Sequence, residues 1–279
     1  MTLLSVRGLG KTFARGGRRV TALADVDLDL AAGETLAVVG ASGSGKTTLA
    51  RAVLRLIEPD AGAITFEGTD WLALAGGRLR ARRARMQMVF QDPGAAFNPR
   101  ATVGAALADP LRLHRGLAGR ALAAEIAALL DQVGLGTIAP DRSVHALSGG
   151  QRQRVAIARA LASEPALVVL DEAVSALDVS VRGQILNLLA DLQAARGLAY
   201  LFVSHDLATV AAVADRVAVF DAGRVVETGP VAAVLGRPVS AAARRLVAAV
   251  PRLAVPVVSP VVSPAAFPAA PAAQKEPPR

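Results

Sequence analysis

One stretch constrains this chain more than any other: Gly40-Ala41-Ser42-Gly43-Ser44-Gly45-Lys46-Thr47. It follows Thr35 to Val39, a short apolar run bounded by Gly33 and Gly40 that reads as a buried strand. It opens a segment, Thr47 to Ile57, whose apolar residues recur at helical spacing until Pro59. Glycines let such a strand-to-helix turn curl, so that successive N–H groups point at phosphate oxygens. The helix that follows adds its positive end. Lys46 is placed to reach β- and γ-phosphates, and Thr47 to offer a hydroxyl to Mg²⁺. The chain carries 28 Arg and only 3 Lys (Lys11, Lys46 and Lys275), yet a lysine holds this position. A guanidinium there would be longer, planar and differently directed. The bland reading is an ordinary Gly/Ser turn, but the strand and helix that the motif requires stand on either side of it.

Two further motifs carry chemistry. Leu167-Val168-Val169-Leu170-Asp171-Glu172 is an apolar strand ending in two carboxylates. In open α/β folds that end of a strand is where ligands bind. Asp171 is placed to help hold Mg²⁺, and Glu172 to orient or deprotonate an attacking water. An acidic turn after a strand is common, so this motif gains its weight from the phosphate loop before it. Leu147-Ser148-Gly149-Gly150-Gln151 precedes an Arg-rich helix, and its backbone N–H groups make a second anion site. One nucleotide does not need two phosphate sites in one monomer, so each site is expected to serve the nucleotide of another subunit.

The remaining pattern alternates strand and helix. Strands are predicted at Ile64 to Phe66, Met86 to Phe90, Ala166 to Leu170, Leu198 to Val203, Arg216 to Phe220 and Arg224 to Thr228. Helices are predicted at Thr102 to His114, Arg120 to Val133, Arg152 to Ala162, Ser180 to Arg196 and Asp206 to Ala214. Alternation of this kind implies α/β architecture with parallel pairing. The helical block from about 101 to 162 interrupts it and reads as an inserted subdomain. No internal repeat is seen.

Composition excludes several classes. With no cysteine there is no disulfide scaffold, thiolate zinc site, cysteine nucleophile or iron–sulfur cluster. A hydrophobic fraction of 53% is too high for a disordered protein. Much of it is alanine, 60 residues. Met1 to Gly8 has no pattern of an export signal. The longest uncharged stretch, Leu253 to Gln274, is long enough to span a bilayer. Pro256, Pro260, Pro264 and Pro268 forbid a helix there, so residues 251–279 read as an extended, largely disordered Pro/Ala-rich tail. The expectation is a soluble chain, or one that docks on a membrane through a partner. Of the formal charge of +8, +7 falls in residues 71–120. Arg78, Arg80, Arg82, Arg83 and Arg85 form its densest part, without aromatics nearby for base stacking.

In motif order and spacing, residues 3–250 resemble the nucleotide-binding subunits of ABC transporters. The resemblance implies an α/β P-loop NTPase core, a mainly parallel sheet with an antiparallel β subdomain, and an inserted α-helical subdomain at about 95–165. The nucleotide-binding domain would span 1–236 and a family extension 237–250. Gly40, Ala41, Ser42, Gly43, Ser44, Gly45, Lys46, Thr47 and Thr48 match the phosphate loop, and Phe13 matches an aromatic stacked on adenine. Gln91 starts the Q-loop, Leu147 to Gln151 is the signature, and Ser175-Ala176-Leu177-Asp178 is the D-loop with Asp178 at its end. His205 matches the switch histidine, and the resemblance implies that Glu172, His205 and Gln91 carry catalysis. It also implies that Thr47, Gln91 and Asp171 surround Mg²⁺. Taken alone, Phe13 fits a core aromatic, Gln91 a surface amide and His205 a satisfied core histidine. Their places relative to the strong motifs move all three towards the site.

The same resemblance implies ATP and Mg²⁺ as cofactors and a head-to-tail dimer of ATPases, of like or unlike chains. It implies transmembrane permease partners, a solute-binding protein reached through them, and a peripheral place on the cytoplasmic face of the inner membrane. Val89-Phe90-Gln91-Asp92-Pro93, Asn98-Pro99-Arg100 and Val174 to Ser180 look like the oligopeptide, dipeptide and nickel importer ATPases. Gly94, Ala96, Phe97, Ala173 and Arg237 to Ser240 depart from that pattern, none at a phosphate-contacting position. The alternatives are a non-transport ABC ATPase and a nucleic-acid-associated one. No direct nucleic-acid contact is expected. The Arg78–Arg85 run is expected to meet the permease or anionic lipid, or to be a solvated basic face.

Overall fold

The computed structural model describes residues 1–15 and 18–249. The tail expected at 251–279 lies outside them. Residues Met1–Ala249 form one compact unit.

Two sheets build it. The first is antiparallel, in the order β2-β1-β4-β5, from β1 (Thr2–Arg15), β2 (Arg18–Ala31), β4 (Ala61–Phe66) and β5 (Thr69–Asp70). The second has the order β10-β9-β3-β8-β7-β6, from β3 (Thr35–Gly40), β6 (Met86–Val89), β7 (Leu167–Asp171), β8 (Ala199–Val203), β9 (Arg216–Asp221) and β10 (Arg224–Pro230). Within it β6, β7, β8, β3 and β9 run parallel, and β10 returns antiparallel at the edge.

The helices are α1 (Lys46–Val53), α2 (Gly76–Arg83), α3 (Val103–Arg115), α4 (Gly119–Gln132), α5 (Gly149–Leu161), α6 (Val179–Arg196), α7 (Leu207–Val213), α8 (Val231–Gly236) and α9 (Ala241–Ala248). The chain is therefore α/β, a mainly parallel sheet joined to an antiparallel one, with α3, α4 and α5 between β6 and β7.

The parallel strands are buried on both faces, which is why they read as unbroken apolar runs. Successive side chains enter different cores. Leu36, Val38, Leu167, Val169, Leu201 and Val203 join the core shared with α1 and the antiparallel sheet. Ala37, Val39, Val168, Leu170, Tyr200 and Phe202 join the core shared with α3 to α8. The register sets four strands level: Val89 pairs with Leu170, Leu170 with Phe202, and Phe202 with Ala37. The residues that follow each strand thus leave the sheet along one edge.

Several elements differ from their predicted extents. The helix predicted for Thr47 to Ile57 ends at Val53, well before Pro59. Arg55 takes a left-handed conformation at φ 51°, while its own N–H donates to Ala52 and that of Leu56 to Arg51. This is a Schellman stop with arginine where glycine is usual. The Arg55 guanidinium explains the exception, donating to the carbonyls of Trp71 and Leu74 and pairing with Glu58. α5 starts at Gly149 instead of Arg152, because Ser148 and Gln151 form a reciprocal capping box. α2, α8, α9 and the long β1–β2 hairpin had no counterpart among the predicted segments.

Phe66 is buried, and its ring meets Trp71 edge-on at 5.6 Å. Phe66→Ala is expected to cost about 3–5 kcal/mol, lowering the thermal midpoint by about 6–20 °C in a domain of this size. Thermal unfolding followed by circular dichroism measures it.

Candidate functional site

The phosphate loop leaves β3 at Gly40 and enters α1 through Gly45, the N-cap, at φ 111°. A side chain there would be strained by that φ, and its Cβ would lie 2.3 Å from the Ala22 carbonyl oxygen of β2. Only glycine fits. Lys46 follows and is 6% exposed. Its Nζ donates to the carbonyls of Gly40 (2.9 Å) and Ala41 (2.8 Å). Burial pulls the Lys46 ammonium below its ordinary pKa, while the carboxylates of Glu172 and Asp171 oppose the shift. Ser44 is buried, and its hydroxyl has no partner among the described residues. An orphaned hydroxyl and a buried ammonium inside a glycine cradle fit an oxyanion ligand such as a phosphate.

The other strands deliver the rest. Asp171 ends β7, also 6% exposed, and accepts a hydrogen bond from the Thr47 hydroxyl at 3.2 Å. Burial raises the Asp171 carboxyl above the usual carboxylate range; the Thr47 bond opposes this and nearby Glu172 adds to it. Glu172 stands beyond the strand at φ 49°, a left-handed conformation costly for a non-glycine residue. Its N–H donates to Val203, and its carbonyl accepts from the N–H and hydroxyl of Ser175. These bonds turn the carboxylate towards two expected partners. Gln91 Nε2 donates to Oε2 at 2.9 Å, and His205 Nδ1 lies 3.4 Å from Oε1.

The structure thus brings together Lys46, Thr47, Asp171, Glu172, Gln91 and His205. The Gln91 side chain bonds Glu172, instead of Thr47 or Asp171, the other two residues expected around Mg²⁺. Phe13 is 40% exposed, which removes the core-aromatic reading. It pairs across the hairpin with Val20, itself 55% exposed and two residues from Ala22 at the phosphate loop. Lys11 Nζ lies 5.6 Å from its ring centre.

The signature stands apart. Ser148 caps α5 by accepting from the Gln151 N–H at 3.2 Å, while its own N–H donates to Gln151 Oε1. The cap leaves the Ser148 hydroxyl proton available to an outside acceptor. Gln151 is used by the cap. Among the described residues, no hydrogen bond joins Leu147–Gln151 to Gly40–Thr48. Asp178, closing the D-loop, caps α6 through Val181. Of the basic run, Arg82 and Arg85 both pair with Glu67, while Arg78, Arg80 and Arg83 are exposed.

Ser175 and Arg182 were missed as individual site residues. Ser175 was read only as part of the D-loop, and nothing local marks it as the prop beneath Glu172. Arg182 joins Leu177 to Asp206 across 29 residues of sequence.

Similarity to known proteins covers most of the chain. A family model described as ABC transporter matches residues 23–175. The glutathione import ATP-binding protein GsiA of Escherichia coli K12 is 52% identical over 234 residues, 84% of this chain and 38% of that protein. GsiA of Salmonella typhimurium LT2 is 50% identical over 256 residues, 89% of this chain and 41% of that protein. The chain therefore spans about two-fifths of the length of these relatives. Among solved structures, the cassette MJ0796, a dimer in a post-hydrolysis state bound to ADP and Pi, superposes with a TM-score of 0.74. It is 28% identical and covers 82% of this chain and 98% of its own. The cassette cbiO1 of Clostridium perfringens, part of the cbiONQ transporter complex, gives 0.75 at 27% identity, covering 85% and 91%.

Asp171 supplies a test. With its pKa raised, the native state holds the Asp171 proton more tightly than the unfolded chain. Its contribution to stability is full below the carboxylate range and is lost as pH rises through the folded pKa. Asp171→Asn, which keeps an acceptor for Thr47, is expected to raise the thermal midpoint of the ligand-free protein at pH 7. The gain should shrink towards pH 3.

Proposed function

From its membership of the ABC transporter family, which the match over residues 23–175 establishes, we propose that this chain hydrolyses ATP to drive import of a small solute. The observation that carries the proposal is Glu172, held between Gln91 and His205 beside Lys46, Thr47 and Asp171.

In this reading the glycine cradle and Lys46 bind the β- and γ-phosphates, and Phe13 with Val20 flanks the adenine. Thr47 and Asp171 offer oxygen ligands suited to a hard cation that takes most of its ligands from phosphate and water. Mg²⁺ there would neutralise part of the triphosphate charge, with Gln91 as a further ligand. Glu172 accepts a proton from the attacking water, and Gln91 and His205 hold that water and the γ-phosphate in line. Water's oxygen bonds to the γ-phosphorus, the bridging bond to ADP breaks, and phosphate leaves. Ser148 and Gly150 of a second subunit complete each site; the Ser148 hydroxyl proton is available to an outside acceptor, and among the described residues no hydrogen bond joins the signature to its own phosphate loop. Asp178 lies beside that junction.

The relatives' names point to a small peptide such as glutathione as the solute. Among the described residues no helix is long and apolar enough to cross a membrane. Separate permease subunits would therefore provide the passage, fed by a solute-binding protein, with this chain peripheral on the cytoplasmic face of the inner membrane. An apolar groove of about 230 Å³, lined by Leu56, Met86, Met88, Phe90 and Phe97 with Arg83 and Arg159 beside them, suits a permease helix. Arg78, Arg80 and Arg83 would meet the permease or anionic head groups.

Glu172→Gln is expected to keep ATP binding, lower phosphate release at least 10²-fold and accumulate ATP-bound dimers on size exclusion. Full turnover in that variant would remove the assignment. Lys46→Ala should abolish tight nucleotide binding by fluorescent-ATP titration.

A further inference from the structure

Arg182 sits in the first turn of α6, four residues after Asp178. Its guanidinium joins the end of the D-loop to the start of α7. Nη1 donates to Asp206 Oδ2 at 2.8 Å, and Nη2 donates to the Leu177 carbonyl at 3.1 Å. The pair is only 26% and 30% exposed, and Arg182 Nε is buried without a partner among the described residues. A guanidinium held with one buried donor unmet is a costly choice, so its two bonds must hold something in place.

Each end of the fork carries a different load. Asp206 caps α7, accepting from the N–H groups of Ala208 and Thr209 and from the Thr209 hydroxyl. Burial pushes the Asp206 carboxyl up, but these bonds and Arg182 together hold it below the usual range. It directly follows His205, whose Nδ1 approaches Glu172. Leu177 faces the other way. A Cβ at Gly149 would lie 3.8 Å from the Leu177 side chain. A Cβ at Gly150 would lie 2.5 Å from Val181, the neighbour of Arg182. The start of the signature helix therefore rests on the segment that Arg182 holds.

We propose that Arg182 is a positioning residue that ties the signature and D-loop edge to the orientation of His205 against Glu172. The inference rests on the ATPase reading above. A second subunit's nucleotide, pressing on Ser148 to Gly150, shifts the Leu177 carbonyl. Arg182 follows it, Asp206 follows Arg182, and the His205 ring moves relative to Glu172. Hydrolysis thereby waits for the partner. Arginine suits the task because its rigid fork presents donors to two separated acceptors in fixed directions, whereas a lysine's donors all leave one point on a flexible stem.

The test is ATP turnover by the full-length chain under steady-state and single-turnover conditions. Arg182→Gln is expected to lower kcat at least tenfold and to change KM for ATP less than twofold. Arg182→Lys, which can keep Asp206 but not both acceptors, should fall between it and the wild type. In a His205→Ala background Arg182→Gln should add no further loss to the single-turnover rate, since it acts through His205. Additive losses in that double variant, or an unchanged kcat in Arg182→Gln, overturn the inference. If Arg182→Gln does not fold, Asp206→Asn, which keeps a capping acceptor, enters the same cycle with the same expected and overturning outcomes. A wild-type chain that binds but does not hydrolyse ATP removes the ATPase reading and this inference together. A hydrolysing wild type with an unaffected Arg182 variant removes this inference alone.

Discussion

Everything chemical in this molecule depends on the level parallel pairing of β6, β7, β8 and β3. Val89, Leu170, Phe202 and Ala37 stand side by side. Two residues beyond that row lie Gln91 and Glu172; three beyond lie His205 and Gly40. Four remote stretches of sequence thus arrive at one edge with no freedom to choose their spacing. A slip of one residue in any of these strands would exchange its two buried faces and withdraw its contribution from the edge.

The edge is expensive to maintain. It includes a buried lysine, a carboxylate whose pKa is forced up and a glutamate in a left-handed conformation. Each opposes folding, and each is held by bonds to neighbouring strands or loops, such as those from Val203 and Ser175 to Glu172. Stability for them comes from the apolar interior on both faces of the sheet. Strain of this kind persists where the surroundings over-determine it, which is typical of functional sites.

Much of this was legible in the residues. Glycine spacing and a strand run ending in acids pointed to the phosphate loop, Asp171 and Glu172, because those signals are local; Gln91 and His205 were marked only by their places relative to these motifs. What escaped was non-local or irregular. The β1–β2 hairpin hid because bulges near Val6, Leu9 and Lys11 break the alternation that marks a strand. The end of α1 hid because arginine replaced glycine at Arg55, for the sake of carbonyls 16 and 19 residues away. α2 buries no residue fully, so it leaves no apolar period to read. Two of its region's arginines looked free and are in fact taken by Glu67.

The division of the interior by the sheet has a further consequence. Alternate residues of one strand answer to different neighbours, so the sheet works as a bulkhead between two compartments. Phe97, one of the residues that departs from the importer pattern, lies wholly on the helical side. Change there is insulated from Leu49, Val53 and the other supports of the phosphate loop on the far side. A chain built this way can change the packing around Phe97 while the residues beneath the phosphate loop keep theirs.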